Sequence, residues 1–144
     1  PRVPNAFGLV GNEANAIQRG KRPLSSMTPT IVLKDGKPFI IIGSPGGSTI
    51  ITTTMQVILN VIEFGMDIKE AVDSPRFHSQ WLPDVIMTEP RGLAKDVVKN
   101  LKDRGHKLIP YKWGYIGEAN GIMITEDGFL GGGDNRGETS AVSY

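Results

Sequence analysis

The string Gly43-Ser44-Pro45-Gly46-Gly47-Ser48 is the densest chemical signal in this chain. Consecutive glycines let the backbone approach an oxygen atom without interference from a Cβ. Between a strand and a helix, unpaired N–H groups point outward and the helix dipole favours negative charge. Two such groups aimed at a developing oxyanion supply several kcal/mol, by analogy with ~2.7–4 kcal/mol for one donor in a studied protease. The same spacing also describes a tight strand-to-helix turn with nothing bound, and spacing alone leaves both readings open. A phosphate loop is excluded, because no Gly-Lys-Ser/Thr ending follows.

A second pair, Ser25-Ser26, follows Lys21-Arg22-Pro23-Leu24. Adjacent hydroxyls can donate to a carboxylate while a nearby cation assists, although such a pair also suits a turn or a strand start. Neither serine reads as a nucleophile, since no Gly-x-Ser-x-Gly elbow surrounds it and no histidine stands in a diagnostic relation to it. His78 and His106 are the only histidines. His78, within Arg76-Phe77-His78-Ser79-Gln80-Trp81, reads as packed or hydrogen-bonded rather than as a base, and no metal-ligand spacing is present. Trp81, Trp113 and Tyr115 read as core or rim aromatics. Asp134 and Arg136 read as an ion pair fastening the last hairpin, which at a surface contributes only ~0–1 kcal/mol.

These residues need elements to position them. Thr30–Leu33 and Pro38–Ile42 are β-rich runs joined around Asp35-Gly36, a strong hairpin signal. The second run is apolar at consecutive positions, which predicts a strand deep in a covered sheet. From Thr49 to Phe64 apolar residues recur near helical spacing, and Gly65 closes that helix. Asp67 caps a second short helix through Val72, which must stop before Ser74-Pro75. Leu93, Val97, Val98 and Leu101 mark a third helix ended by Gly105. Val85–Met87 and Lys107–Ile109 are short strands flanking it. Gly121–Thr125, with Asp127-Gly128 before Phe129-Leu130, repeats the hairpin signal. The order is hairpin, two helices, strand, helix, strand, hairpin: an α+β fold with antiparallel sheet and helices packed against it.

Composition bounds what such a fold can do. The 144 residues, 39% hydrophobic, suffice for one core, so residues 1–144 read as a single domain or part of one, with an extended lead-in over about 1–23. Lys and Arg number 16 against 15 for Asp and Glu, so the formal charge is +1 and no large single-sign field argues for nucleic acid or an anionic membrane as partner. No cysteine is present, which removes disulfides and thiol catalysis within the chain. No apolar run reaches the ~20 residues of a membrane span, the nearest being broken by Thr52, Thr53, Thr54 and Gln56.

Several strings in one order resemble the small subunit of γ-glutamyltranspeptidases. They are Val3-Pro4-Asn5-Ala6-Phe7-Gly8-Leu9-Val10-Gly11, Lys21-Arg22-Pro23-Leu24-Ser25-Ser26-Met27, Gly43–Ser48 with Ile50-Ile51-Thr52-Thr53, and Pro75-Arg76-Phe77-His78 with Gln80–Asp84. The match weakens beyond Asp84, keeping the helix, the last hairpin and Asp134-x-Arg136.

The resemblance implies part of a four-layer αββα N-terminal-nucleophile hydrolase sandwich with antiparallel sheets. It implies a precursor that cleaves itself, exposing a Thr that attacks a γ-glutamyl amide such as glutathione and passes the acyl group to water or an amine. By position Ser25 and Ser26 match serines that bind the glutamyl α-carboxylate, and Gly46 and Gly47 match the oxyanion-hole glycines. The nucleophilic Thr would lie upstream of Pro1. The implied partners are therefore the large subunit, the upstream small-subunit segment and a γ-glutamyl small molecule, with no cofactor and no metal. The 144 residues alone are expected to be inactive. By family analogy the protein is periplasmic or secreted, with the cytoplasm left open. Two rivals stand beside this: a hydrolase-only acylase relative, and a non-catalytic binding or assembly domain on the same scaffold.

Overall fold

The computed structural model describes residues 3–23, 25 and 27–142. Two sheets and three helices form the α+β architecture. Strands β1 (Thr30–Lys34) and β2 (Lys37–Gly43) are antiparallel across Asp35-Gly36. Asp35 and Gly36 take φ of 51° and 76°, the pair of positive values a type I′ turn demands. Strands β6 (Asn120–Thr125) and β7 (Gly128–Gly133) form the second hairpin, and β6 pairs with β2 to give the antiparallel order β1-β2-β6-β7.

Helix α1 (Ile50–Ile62) buries Val57 and Val61, and Gly65, at φ 68°, turns the chain out of it. Helix α2 (Ile68–Asp73) opens on a capping box, in which Glu70 N–H donates to Asp67 and Asp67 N–H donates back to Glu70. It stops at Ser74, extended ahead of Pro75. Both helices close the core over one face of the four-stranded sheet, joining Val57, Val61, Ile68 and Val72 to Ile40 and Ile42.

Helix α3 (Lys95–Asp103) links β4 (Ile86–Thr88) to β5 (Leu108–Pro110). These two strands are parallel, not antiparallel as expected: a helical crossover returns the chain in the same direction. A two-residue strand β3 (Phe77–His78), too short to announce itself in the sequence, pairs with β4.

The expectation that β2 lies deep in a covered sheet holds for one face only. Ile40 and Ile42 are buried, whereas Ile41 between them is 39% exposed. Ile41 stands beside Ile31 of β1 and Ile122 of β6 in register, so one apolar row crosses three strands on the open face. Trp81, Trp113 and Tyr115, read as core or rim residues, are all exposed.

Candidate active site

Sheet register gathers several loops at one end. Thr30 pairs with Ile42, Gly43 with Asn120, and Asn120 with Gly133. The segment entering β1, the turn leaving β2, the loop entering β6 and the chain leaving β7 therefore all meet the sheet at that end. They contain Ser25, Gly46 and Gly47, Gly117 and Glu118, and Asp134.

The turn after β2 begins α1 through one 3-10 turn, Gly47–Thr49. Gly46 takes φ 138° and ψ 9°, and Gly47 takes φ 60°, positions where a side chain is strained. A Cβ on Gly46 would lie 2.5 Å from Thr49 Oγ1, and one on Gly47 would lie 2.4 Å from the Phe7 ring. Thr49 donates to the Gly46 carbonyl through N–H at 3.2 Å and through Oγ1 at 3.0 Å. Ser44 Oγ donates to the Pro45 carbonyl at 2.6 Å and accepts Glu118 N–H at 3.1 Å. Among the described residues, no protein acceptor takes the N–H of Gly46 or Gly47 outside regular helices and strands. Two donors with no acceptor among the described residues, one short turn ahead of a 13-residue helix, make a site suited to negative charge.

Ser25 lies exposed, its hydroxyl donating to the Met27 carbonyl at 3.3 Å and accepting Met27 N–H at 3.4 Å. Among the described residues no hydrogen bond joins it to the 43–48 turn, and Ser26 lies outside the described residues. His78 is buried, its Nδ1 2.8 Å from Thr52 Oγ1 and its Nε2 2.9 Å from Gln80 Oε1, in keeping with a packed, hydrogen-bonded side chain. Among the described residues no group of His, Asp or Glu could hold a metal ion, and no helix is long and apolar enough to cross a membrane.

Asp134 and Arg136 correct the reading of a surface pair. They are 2.9 Å apart and almost fully buried, within a network that includes Arg76 and Glu89. Arg76 is 1% exposed and its Nη2 lies 2.7 Å from Asp134 Oδ2, while Arg136 Nη2 lies 2.6 Å from Glu89 Oε2. Burial pushes the Arg76 guanidinium below the usual arginine range, even beside Asp134. Burial also acts to raise the Asp134 pKa, but hydrogen bonds from Arg76, Arg136 and Ala119 outweigh it and hold the carboxyl below its ordinary value. Arg136 is raised: hydrogen bonds to Glu89 and Asp134 overcome its desolvation.

This network holds the loop behind the glycine turn. Glu89 Oε1 accepts Ile116 N–H at 2.6 Å, and Asp134 Oδ2 accepts Ala119 N–H at 2.6 Å. Between them stand Gly117, whose Cα would be 3.4 Å from a Cβ on Gly46, and Glu118, which donates to Ser44. Sequence reasoning missed Glu89 and Gly117 altogether. A local signal existed only for Thr49, three residues after Gly46, where a threonine hydroxyl commonly bonds backward to the main chain.

The family model described as gamma-glutamyltranspeptidase matches residues 1–144. The glutathione hydrolase proenzyme of Escherichia coli strain K12 is 49% identical over 132 residues, covering 92% of this chain and 22% of that protein. A solved Helicobacter pylori gamma-glutamyltranspeptidase has a TM-score of 0.88 at 50% identity, covering 95% of this chain and 75% of that one. The enzyme from Pseudomonas nitroreducens, complexed with L-DON, has a TM-score of 0.89 at 39% identity over 100% of this chain and 75% of that one. The chain thus spans about a quarter or less of the E. coli relative's length. Identity along the whole chain and a shared α+β architecture agree: the chain belongs to the γ-glutamyltranspeptidase family of N-terminal-nucleophile hydrolases.

Proposed function

We propose that this chain supplies the receptive half of an acyl-transfer site that, in the complete protein, cleaves γ-glutamyl amides such as glutathione. Gly46 and Gly47 bind the oxyanion through their backbone N–H groups, and Ser25 and Ser26 bind the glutamyl α-carboxylate. A Thr from another segment of the complete protein attacks the γ-carbonyl carbon through its hydroxyl oxygen, the amide C–N bond breaks, and the hydroxyl proton leaves on the departing amine as the γ-glutamyl ester forms. Water or an amine acceptor then releases the acyl group. A large subunit completes the site.

The observation that carries this reading is the pair of N–H groups at Gly46 and Gly47, without an acceptor among the described residues and held at the entrance to α1 in a chain of the γ-glutamyltranspeptidase family. Developing negative charge on the carbonyl oxygen is what such donors stabilise differentially, so their effect belongs in kcat. The serines bind a group unchanged by the reaction, so their effect belongs mainly in KM.

The test is turnover of γ-glutamyl p-nitroanilide by the complete protein, with and without an amine acceptor. Gly46→Ala and Gly47→Ala keep the N–H but add a Cβ that forces the turn to shift and so misplaces the donors; each is expected to lower kcat by about 100-fold. Ser25→Ala and Ser26→Ala are expected to raise KM. Full activity in both glycine variants would refute the assignment.

A further inference from the structure

The two proposed donor groups belong to two consecutive peptide units, Pro45–Gly46 and Gly46–Gly47, and both units are trans. In a planar trans unit the C=O and N–H point in opposite directions, so fixing one fixes the other. The Pro45 carbonyl accepts the Ser44 hydroxyl at 2.6 Å. The Gly46 carbonyl accepts both Thr49 N–H and Thr49 Oγ1–H. At Gly46, ψ of 9° sets the two amide nitrogens on the same side of the intervening Cα–C bond, as in the backbone concavities that hold anions. The two carbonyls are tied to the protein and the two N–H groups are left to face a ligand.

We infer that Ser44 and Thr49 are positioning residues for oxyanion binding, each hydroxyl locking the peptide unit that presents one of the two N–H donors. This rests on the proposed role of Gly46 and Gly47. Ser44 is itself anchored, since its Oγ accepts Glu118 N–H and so ties the turn to the loop entering β6. Thr49 is 2% exposed, and its hydroxyl fills the space beside Gly46 that a Cβ would otherwise occupy. Without these hydroxyls no side-chain hydrogen bond among the described residues holds either peptide plane, and glycine resists rotation least of all residues. Misplacement of a reacting group by about 1 Å is enough to lower a rate by ~100-fold.

The experiment compares Ser44→Ala, Thr49→Val and Thr49→Ser in the complete protein, by steady-state kinetics with γ-glutamyl p-nitroanilide and by NMR order parameters of the Gly46 and Gly47 amides. Thr49→Val keeps shape and removes the hydroxyl; Thr49→Ser restores it. Ser44→Ala and Thr49→Val are expected to lower kcat by about 10- to 100-fold with KM little changed, and to loosen the two amides. Thr49→Ser is expected to recover most of the lost rate. Amides as rigid in both hydroxyl-deleted variants as in the wild type would overturn the inference, as would loosened amides with an unchanged kcat. Wild-type protein with no turnover would instead overturn the functional reading beneath it, and that is seen before any variant is compared.

Discussion

At Asp134 two guanidinium groups and two backbone N–H groups converge on a single buried carboxylate. Removing this carboxylate leaves Arg136 with Glu89 but strips Arg76 of its buried ion-pair partner, which destabilises by about 3–5 kcal/mol. Asp134→Asn is therefore expected to lower stability by that order in denaturant unfolding. The carboxyl also predicts a pH dependence. Its folded-state pKa is depressed, so its contribution is fully present above the unfolded value of ~3.9 and is lost as pH falls through the lower folded value. Unfolding free energy should fall below about pH 4 in the wild type, and Asp134→Asn should lack that part of the slope. Parallel acid profiles for the two proteins would contradict this. The residue scale is also where sequence was least informative. Glu89, between Thr88 and Pro90, has nothing local to mark it as buried; its ion-pair partner Arg136 lies 47 positions away.

Elements read more faithfully, because their signals are local. Positive φ at Asp35 and Gly36, the Asp67 cap and the halt before Pro75 are each decided within four residues. Pairing across the chain is not local, which is why the parallel β4–β5 contact and the brief β3 escaped notice. How closely α2 lies on the sheet was equally invisible. A Cβ on Gly132 would come within 2.8 Å of the Ile68 carbonyl oxygen, so the helix rests directly on the β7 backbone. A backbone atom cannot swing aside, and Gly132→Val must push α2 away from the strands it covers. The expected result is a loss of about 1–3 kcal/mol, seen as a lowered Tm, as for other over-packed cores. An unchanged Tm would show that the contact has room to relax. Gly117 presents a related close approach, since its Cβ would stand 2.6 Å from Thr53 Oγ1 and 2.9 Å from Ser44 Oγ. The Glu89 and Asp134 bonds to Ile116 and Ala119 thus reach the glycine turn through Gly117 and Glu118, which meet the side chains of Ser44 and Thr53.

At the scale of the whole molecule, the four-stranded sheet is covered on one face and open on the other. Ile31, Ile41 and Ile122 form an exposed apolar row, with Leu33 and Leu130 also exposed. Alternating burial along β2 was hidden in the sequence by its unbroken run of Phe39-Ile40-Ile41-Ile42, which reads the same whether one face or both are covered. Apolar sheet surface of this kind promotes association, so the 144-residue chain prepared by itself should elute above its monomer mass in size-exclusion chromatography. A stable monomer with a cooperative unfolding transition would contradict that.

For the candidate site, the glycine turn was legible as an anion-binding motif; Thr49 had a local signal, a threonine hydroxyl bonding backward to the main chain, while the Ser44 restraint emerged only with the carbonyl it holds. The most direct test of the central claim is a crystal structure of the complete protein with a γ-glutamyl analogue trapped as a tetrahedral adduct. The account predicts the adduct oxygen about 2.7–3.1 Å from the nitrogens of both Gly46 and Gly47, with the analogue's α-carboxylate on Ser25 and Ser26. An adduct oxygen directed away from both glycines would contradict it.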